Sequence, residues 1–186
     1  YFSQMIDNQT AFKIVYDRYK VMVYTVAFHY LQNTEDAEEI TQDVFVQLYH
    51  SLDKFKNNSS AKTWIYRITI NKSLDFIKHK NSKKRFFIFG QKSNNEFEIQ
   101  NSSHFEHPGI LLEQKENSKI LFSVINELSE NQKTAFILSK LDGMSNPEIS
   151  EIMQLSISSV ESLIFRAKAT LKEKLSKKFE YYRKNK

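Results

Sequence analysis

Apolar residues recur at spacings of three and four along most of this chain, the interval that places them on one face of a helix. Between residues 11 and 31 that face holds Phe12, Val15, Tyr16, Tyr19, Val23, Val26, Ala27 and Tyr30, and an amphipathic helix is predicted there. Asn33 and Thr34 then offer an N-cap. The acids at 35, 36, 38 and 39 suit the positive end of a second helix that runs to about Leu52, with Ile40, Val44 and Leu48 inward. A polar loop from Lys56 to Ala61 precedes a third helix near Lys62 to Lys80. From Asn81 to Glu116 the periodicity fades, Ser, Asn, Gln and Lys dominate, and Gly90, Pro108 and Gly109 appear. That segment reads as a linker, although Phe86, Phe87, Ile88 and Phe89 are too apolar to be wholly solvated.

Periodicity returns at about Asn117. Ile120, Leu121, Val124, Ile125 and Leu128 make one short helix, and Thr134, Ile137, Leu138 and Leu141 make a second that Gly143 can terminate as a C-cap. Asn146 followed by Pro147 is a start signal for a third helix, Glu148 to Gln154. After a break at 155–157, a Ser158 cap opens a fourth with Val160, Leu163, Ile164, Ala167 and Leu171 on one face. The predicted fold class is all-α, with two small helical domains, 1–80 and 117–186, joined by a flexible linker over 81–116.

Composition narrows the function classes. The 186 residues include 3 Gly and 2 Pro, far below the roughly 12% of an average chain, which excludes a β-sandwich or a propeller. With Gly only at 90, 109 and 143, neither a G-x-G-x-x-G nor a G-x-x-x-x-G-K-[ST] phosphate loop can be written. Cys 0 removes disulfides, thiolate metal sites and a cysteine nucleophile, and fits a reducing cytosol. No apolar run approaches the roughly 20 residues that span a bilayer, so a cytoplasmic chain with no direct membrane insertion is expected.

In the second half, Glu148, Ile149, Ile152, Met153, Leu155, Ile157 and Val160 describe a short helix, a tight turn and a longer helix. This is a helix-turn-helix pattern, or else a generic helical bundle. In the first geometry Ser159, Glu161, Ser162, Phe165 and Arg166, with Lys168 beyond them, meet the major groove. Charge bears on the choice: residues 162–186 carry nine Lys/Arg and two Glu, net +7, while the rest of the chain is net −2. Concentrated there, the excess can neutralise phosphates, or it can serve as a solubilising tail.

In the first half, Asp36, Glu39 and Asp43 fall on one helical stripe, either a docking face for a basic partner or a solvated face. None of the five His has Glu three residues before it, so a di-metal carboxylate site lacks its ligands. His104-x-x-His107 with Glu106 reads as a casual linker pair, and no metal, cofactor or catalytic residue is expected. The single Trp, Trp64, lies among Lys62, Tyr66, Arg67, Lys72 and Lys78, after a loop holding Phe55, Asn57 and Asn58. Aromatic faces beside cations can hold unstacked bases, and Trp64 can equally be core.

The order of these pieces is informative. Asp36-Ala-Glu-Glu-Ile-x-Gln-Asp-x-Phe45, Trp64-Ile-Tyr-Arg-Ile68 with Asn71 and Asp75, a variable linker, Leu128-Ser-x-x-Gln-Lys133, Asp142-Gly-Met-Ser145, Glu148-Ile149, Ser159-Val-Glu-Ser162 and Arg166-Ala-Lys168 follow one another. Together they closely resemble the extracytoplasmic-function (ECF) sigma factors of the sigma-70 family, over about 12 to 80 (region 2) and 117 to 175 (region 4). The resemblance implies a bacterial transcription initiation factor and not an enzyme. By carry-over, Asp36, Glu39, Gln42 and Asp43 would face the basic coiled coil of the core RNA polymerase clamp. Phe55, Asn57, Asn58, Lys62, Thr63, Trp64, Arg67 and Asn71 would open the promoter −10 element and hold a flipped base. Ser159, Glu161, Ser162, Phe165, Arg166 and Lys168 would read the −35 element as duplex DNA, and the linker would run through the polymerase channel. An anti-sigma factor, often membrane-bound in the family, is the further partner implied.

The chain departs from the family pattern at Glu161 and Leu163, where many relatives carry Arg or Lys, and at Ser129, where Pro is usual. Two other readings remain beside this one: a two-domain helix-turn-helix regulator acting without polymerase docking, and a helical interaction module or anti-sigma antagonist.

Overall fold

The computed structural model describes the backbone of residues 2–51, 60–90 and 110–184, and the side chains of 9–51, 60–82 and 117–180. Every regular element among the described residues is an α-helix. The chain divides into two compact units, Tyr1–Ser103 and His104–Lys186.

The first unit holds α1 (Phe2–Leu31), α2 (Thr34–Ser51) and α3 (Ala61–Gly90), which pack against one another in all three pairings. Val23 and Ala27 from α1, Ala37, Ile40, Val44, Phe45 and Leu48 from α2, and Ile65 and Ile68 from α3 form its core. Each fully buried aliphatic side chain there contributes about 1.5–3 kcal/mol relative to exposure. An aromatic cluster extends the core, with Phe12 edge-on to Tyr49 at 5.2 Å and Tyr16 edge-on to Phe45 at 4.7 Å. Buried Thr69 and Ser73 satisfy their hydroxyls by donating to the carbonyls of Ile65 and Thr69, both at 2.8 Å.

The α1–α2 corner takes two residues. Gln32 adopts a left-handed conformation (φ 54°) and closes α1, its backbone N–H donating to Phe28 O at 2.9 Å. Asn33 caps α2 by accepting the Asp36 N–H on Oδ1 at 2.7 Å. Ser60 does the same for α3, accepting the Thr63 N–H at 3.0 Å.

The second unit holds α4 (Ile110–Ile125), α5 (Glu130–Lys140), α6 (Asn146–Met153) and α7 (Ile157–Lys184). Val124, Ile125, Leu128, Ile137, Leu138, Ile149 and Ile152 pack against Val160, Ile164, Ala167 and Leu171, which recur along one face of α7. After α5 caps at Leu141, Gly143 takes φ 67°, and the Met144 N–H reaches back to Leu138 O at 2.9 Å. The left-handed turn there is open to Gly without strain.

Several boundaries differ from the periodicity. α1 begins at Phe2 and α3 continues to Gly90, ten residues past the end expected, while α4 starts at Ile110 instead of 117. The added turns are rich in Lys, Gln, Glu and Phe with no internal breaker, so the backbone stays helical where the amphipathic signal has faded. α6 is capped by Ser145 instead of Asn146, with Glu148 accepting from the Ser145 N–H at 2.9 Å and Oγ at 2.7 Å. Ser156, not Ser158, opens α7: its Oγ accepts the Ser159 N–H at 3.2 Å and its carbonyl the Val160 N–H at 3.1 Å.

Candidate nucleic-acid interface

Gln154, Leu155 and Ser156 alone connect α6 to α7, with Gln154 in the left-handed region at φ 56°. A turn this short forces the two helices to cross, and burial of Ile149, Ile152, Val160 and Ile164 holds the crossing. What remains outward on the first turns of α7 is Glu161, Ser162, Phe165 and Arg166, which line one shallow depression. Phe165 leaves 74% of its surface exposed, a large ring that faces mostly outward. Arg166 is exposed, and its Nε donates to Ser162 O at 3.2 Å, leaving four further guanidinium donors beyond that bond. Lys168 is exposed beyond them, and Ser159 is half-buried beside the Ser156 cap, with the two hydroxyls 2.8 Å apart.

One contact was not legible from the chain: Asn146 of α6 donates Nδ2 to Glu161 Oε1 at 3.3 Å, fifteen residues away. Further along α7, the cations are not equivalent. Lys174 and Lys178 both reach Glu127, at 2.5 and 3.2 Å, and Lys178 also donates to Ser123 Oγ at 2.7 Å. Lys177 pairs within the helix with Glu173 at 2.7 Å, a bond that lowers the Glu173 pKa and raises that of Lys177. Part of the C-terminal basic excess is therefore tied to the unit's own acids.

On α3, Trp64, Arg67 and Asn71 share one stripe at i, i+3 and i+7. Trp64 packs half-buried against the first unit's core, Arg67 is half-buried, and Asn71 is exposed. Thr63 is 7% exposed and its Oγ1 lies 2.9 Å from Ser60 Oγ, so it serves the start of α3. Lys62 is exposed with Nζ 6.0 Å from the Tyr66 ring centroid. Phe55, Asn57 and Asn58 lie outside the described residues.

The acidic stripe of α2 is engaged by α3. Asp36 pairs with Lys80 at 2.5 Å and Asp43 with Lys72 at 3.5 Å, two rungs about two helical turns apart on antiparallel helices. Glu39 and Gln42 lie exposed between and beside them. Among the described residues no three His, Asp or Glu side chains converge as metal ligands, and no helix is long and apolar enough to cross a membrane. His104, Glu106 and His107 lie outside the described residues.

Two family models match the chain: sigma-70 region 2 over residues 15–83, and sigma-70 region 4 over residues 118–171. The chain belongs to the sigma-70 family as an ECF sigma factor. It is 29% identical over 172 residues to the ECF RNA polymerase sigma factor SigW of Bacillus subtilis, with 90% of each chain covered. To the ECF RNA polymerase sigma-E factor of Escherichia coli it is 28% identical over 169 residues, covering 90% of this chain and 88% of that one.

Solved structures share its fold. CnrH, solved in complex with the cytosolic domain of CnrY, aligns over 90% of this chain and 89% of its own with a TM-score of 0.63 and 24% identity. The sigma factor RpoE, in complex with the anti-sigma factor NepR from Bartonella quintana, aligns over 89% and 97% with a TM-score of 0.61 and 20% identity. In this sigma factor the region 2 match falls on α1, α2 and most of α3. The region 4 match ends at Leu171, just before the Lys172–Lys178 stretch that reaches back to Glu127.

Proposed function

We propose that this sigma factor docks on core RNA polymerase through residues 1–80 and carries two separate promoter contacts, one that opens the −10 element and one that reads the −35 element. The observation that carries the reading is the pairing, in one chain, of a region 2 match and a region 4 match whose helix-turn-helix leaves Glu161, Ser162, Phe165 and Arg166 outward.

Asp36, Glu39, Gln42 and Asp43 are the docking surface. A basic coiled coil of the polymerase would replace Lys72 and Lys80 at Asp43 and Asp36, exchanging partly exposed pairs of comparable strength while Glu39 adds a new one. Lys62, Trp64, Arg67 and Asn71, with Thr63 at the helix start and Phe55, Asn57 and Asn58 in the preceding loop, serve the −10 element. Opening a duplex costs up to roughly 2 kcal/mol per base-pair step, and a captured base returns about 1–3 kcal/mol through stacking. A few captured bases thus offset a few melted steps without hydrolysis. Residues 117–186 read the −35 element, with Ser159, Glu161, Ser162, Phe165, Arg166 and Lys168 at the groove, and the segment that joins α3 to α4 passes through the polymerase channel. The protein works in the cytoplasm and is held inactive by an anti-sigma factor. One structure of like fold, the sigma factor RpoE with the anti-sigma factor NepR, supports that partner.

Run-off transcription with core polymerase on a promoter library tests the reading. Promoter-dependent transcripts are expected only when the chain is added; absence of product with every library member overturns it.

A further inference from the structure

We propose that Glu161 reads a cytosine in the duplex that α7 enters, and that Asn146 is its positioning residue. This rests on the reading of residues 117–186 as the duplex-binding half. Glu161 shares one depression with Ser162, Phe165 and Arg166 and is the acid of the four. On a surface that approaches phosphates a carboxylate costs affinity, so its presence on the contact face needs a compensating partner. The structure supplies half of the arrangement. Asn146 Nδ2 donates to Oε1 at 3.3 Å and holds the carboxylate from α6, across the turn. An ionised carboxylate has room for about four donors, so this single bond leaves capacity for a base.

Major-groove chemistry selects which base. A carboxylate only accepts, and the groove offers donors only at cytosine N4 and adenine N6. Guanine presents O6 and N7, and thymine presents O4, all of which repel it. Adenine sets its N7 acceptor directly beside N6, facing the second carboxylate oxygen, whereas cytosine has no acceptor beside N4 on that edge. Cytosine is the base left. Phe165, one turn further along α7, and Arg166 supply the complementary chemistries, an apolar face for a thymine methyl and a fork for guanine O6 and N7. The depression therefore carries three different base preferences within two turns of helix.

The test uses the full chain with core polymerase, transcribing a library randomised across the upstream element, each member identified by a barcode in its transcript. The wild type is expected to favour cytosine at one position by at least about 5-fold. Glu161→Gln is expected to move that preference to adenine, since an amide pairs with N6 and N7, and Glu161→Ala to leave the position indifferent. Asn146→Ala is expected to weaken the cytosine preference at that same position while the other positions and the melting midpoint stay unchanged, which a merely structural role would not produce. A wild-type profile with no cytosine-selective position, or one that Glu161→Ala and Glu161→Gln leave unchanged, overturns the proposal while leaving the sigma-factor reading intact. Absence of any promoter-dependent product from the wild type overturns both.

Discussion

Lys174 Nζ lies 2.5 Å from Glu127 Oε2, joining α7 to the turn after α4 across 47 residues of chain. Lys178 reaches the same carboxylate at 3.2 Å. The hydrogen bond from Lys174, then that from Lys178, holds the Glu127 pKa below its ordinary value of 4.5. Two cations of the basic C-terminal segment are thus occupied within their own unit.

Glu127→Gln is expected to release both lysines toward phosphate. The dependence of promoter-DNA affinity on salt, plotted as log K against log salt, should steepen by about 1 to 2, since each added phosphate contact contributes about 0.9. The same substitution should alter acid stability. A carboxyl whose pKa is lowered on folding contributes stability that is present above 4.5 and lost as pH falls through the lower folded value. Melting midpoints of Glu127→Gln should accordingly fall less steeply on acidification than those of the wild type.

Lys133 behaves in the opposite pH range. It is 5% exposed on α5, donates Nζ to Asn126 Oδ1 at 2.7 Å, and burial lowers its pKa from 10.5 to about 8. Between those values the unfolded chain binds the proton more than the folded one, so stability rises with pH across that window, by about 3 kcal/mol at most. Urea midpoints at pH 7 and near pH 10 should show the rise in the wild type and lose it in Lys133→Met. At pH 7 the variant should lie within about 1–2 kcal/mol of the wild type, because relief of the buried charge and loss of a charged hydrogen bond worth about 1.5–3 kcal/mol largely cancel. Persistence of the full rise in Lys133→Met would refute this.

Reversing Asp36 and Asp43 to Lys separates docking from folding. Core polymerase affinity should fall at least about tenfold, equivalent to about 1.4 kcal/mol. Each pair has one well-exposed partner and one partly buried one, so loss of the pair together with the new Lys–Lys repulsion should lower stability by only about 1 kcal/mol per site. Anisotropy titration of labelled protein with core polymerase, alongside melting curves, measures both. Unchanged affinity would favour a regulator that does not dock.

Trp64 and Asn71 share a stripe on α3 but should fail differently. Trp64→Ala removes a half-buried ring from the first unit's core and should cost about 1–3 kcal/mol, less than the 3–5 of a fully buried aromatic. Asn71→Ala, at an exposed position, should leave stability within about 0.5 kcal/mol yet reduce open-complex formation. Permanganate footprinting of the −10 element reads the second effect, and equal loss of stability in both variants would contradict it.

Much of the local structure was legible along the chain. The spacing of Val160, Ile164, Ala167 and Leu171 marks the buried face of α7, and Pro147 and Gly143 bracket the start of the helix-turn-helix. Cap identities were less so. Ser156, Ser158 and Ser159 offer three similar hydroxyls, and only the structure shows that Ser156 opens the helix, its Oγ accepting the Ser159 N–H. The burial of Thr63 beside Ser60 was likewise not legible along the chain.

The sequence by itself determined the helices, their order, the family and the uneven spread of charge, because apolar spacing of three and four and the cap and breaker residues are local signals. Only the tertiary structure decided which of those charges face outward. Lys72 and Lys80 meet Asp43 and Asp36, Lys174 and Lys178 meet Glu127 in the turn after α4, and Asn146 meets Glu161, all between separate elements. Such partners are set by the register in which helices pack, and a side chain's reach across that register has no periodic trace along the chain.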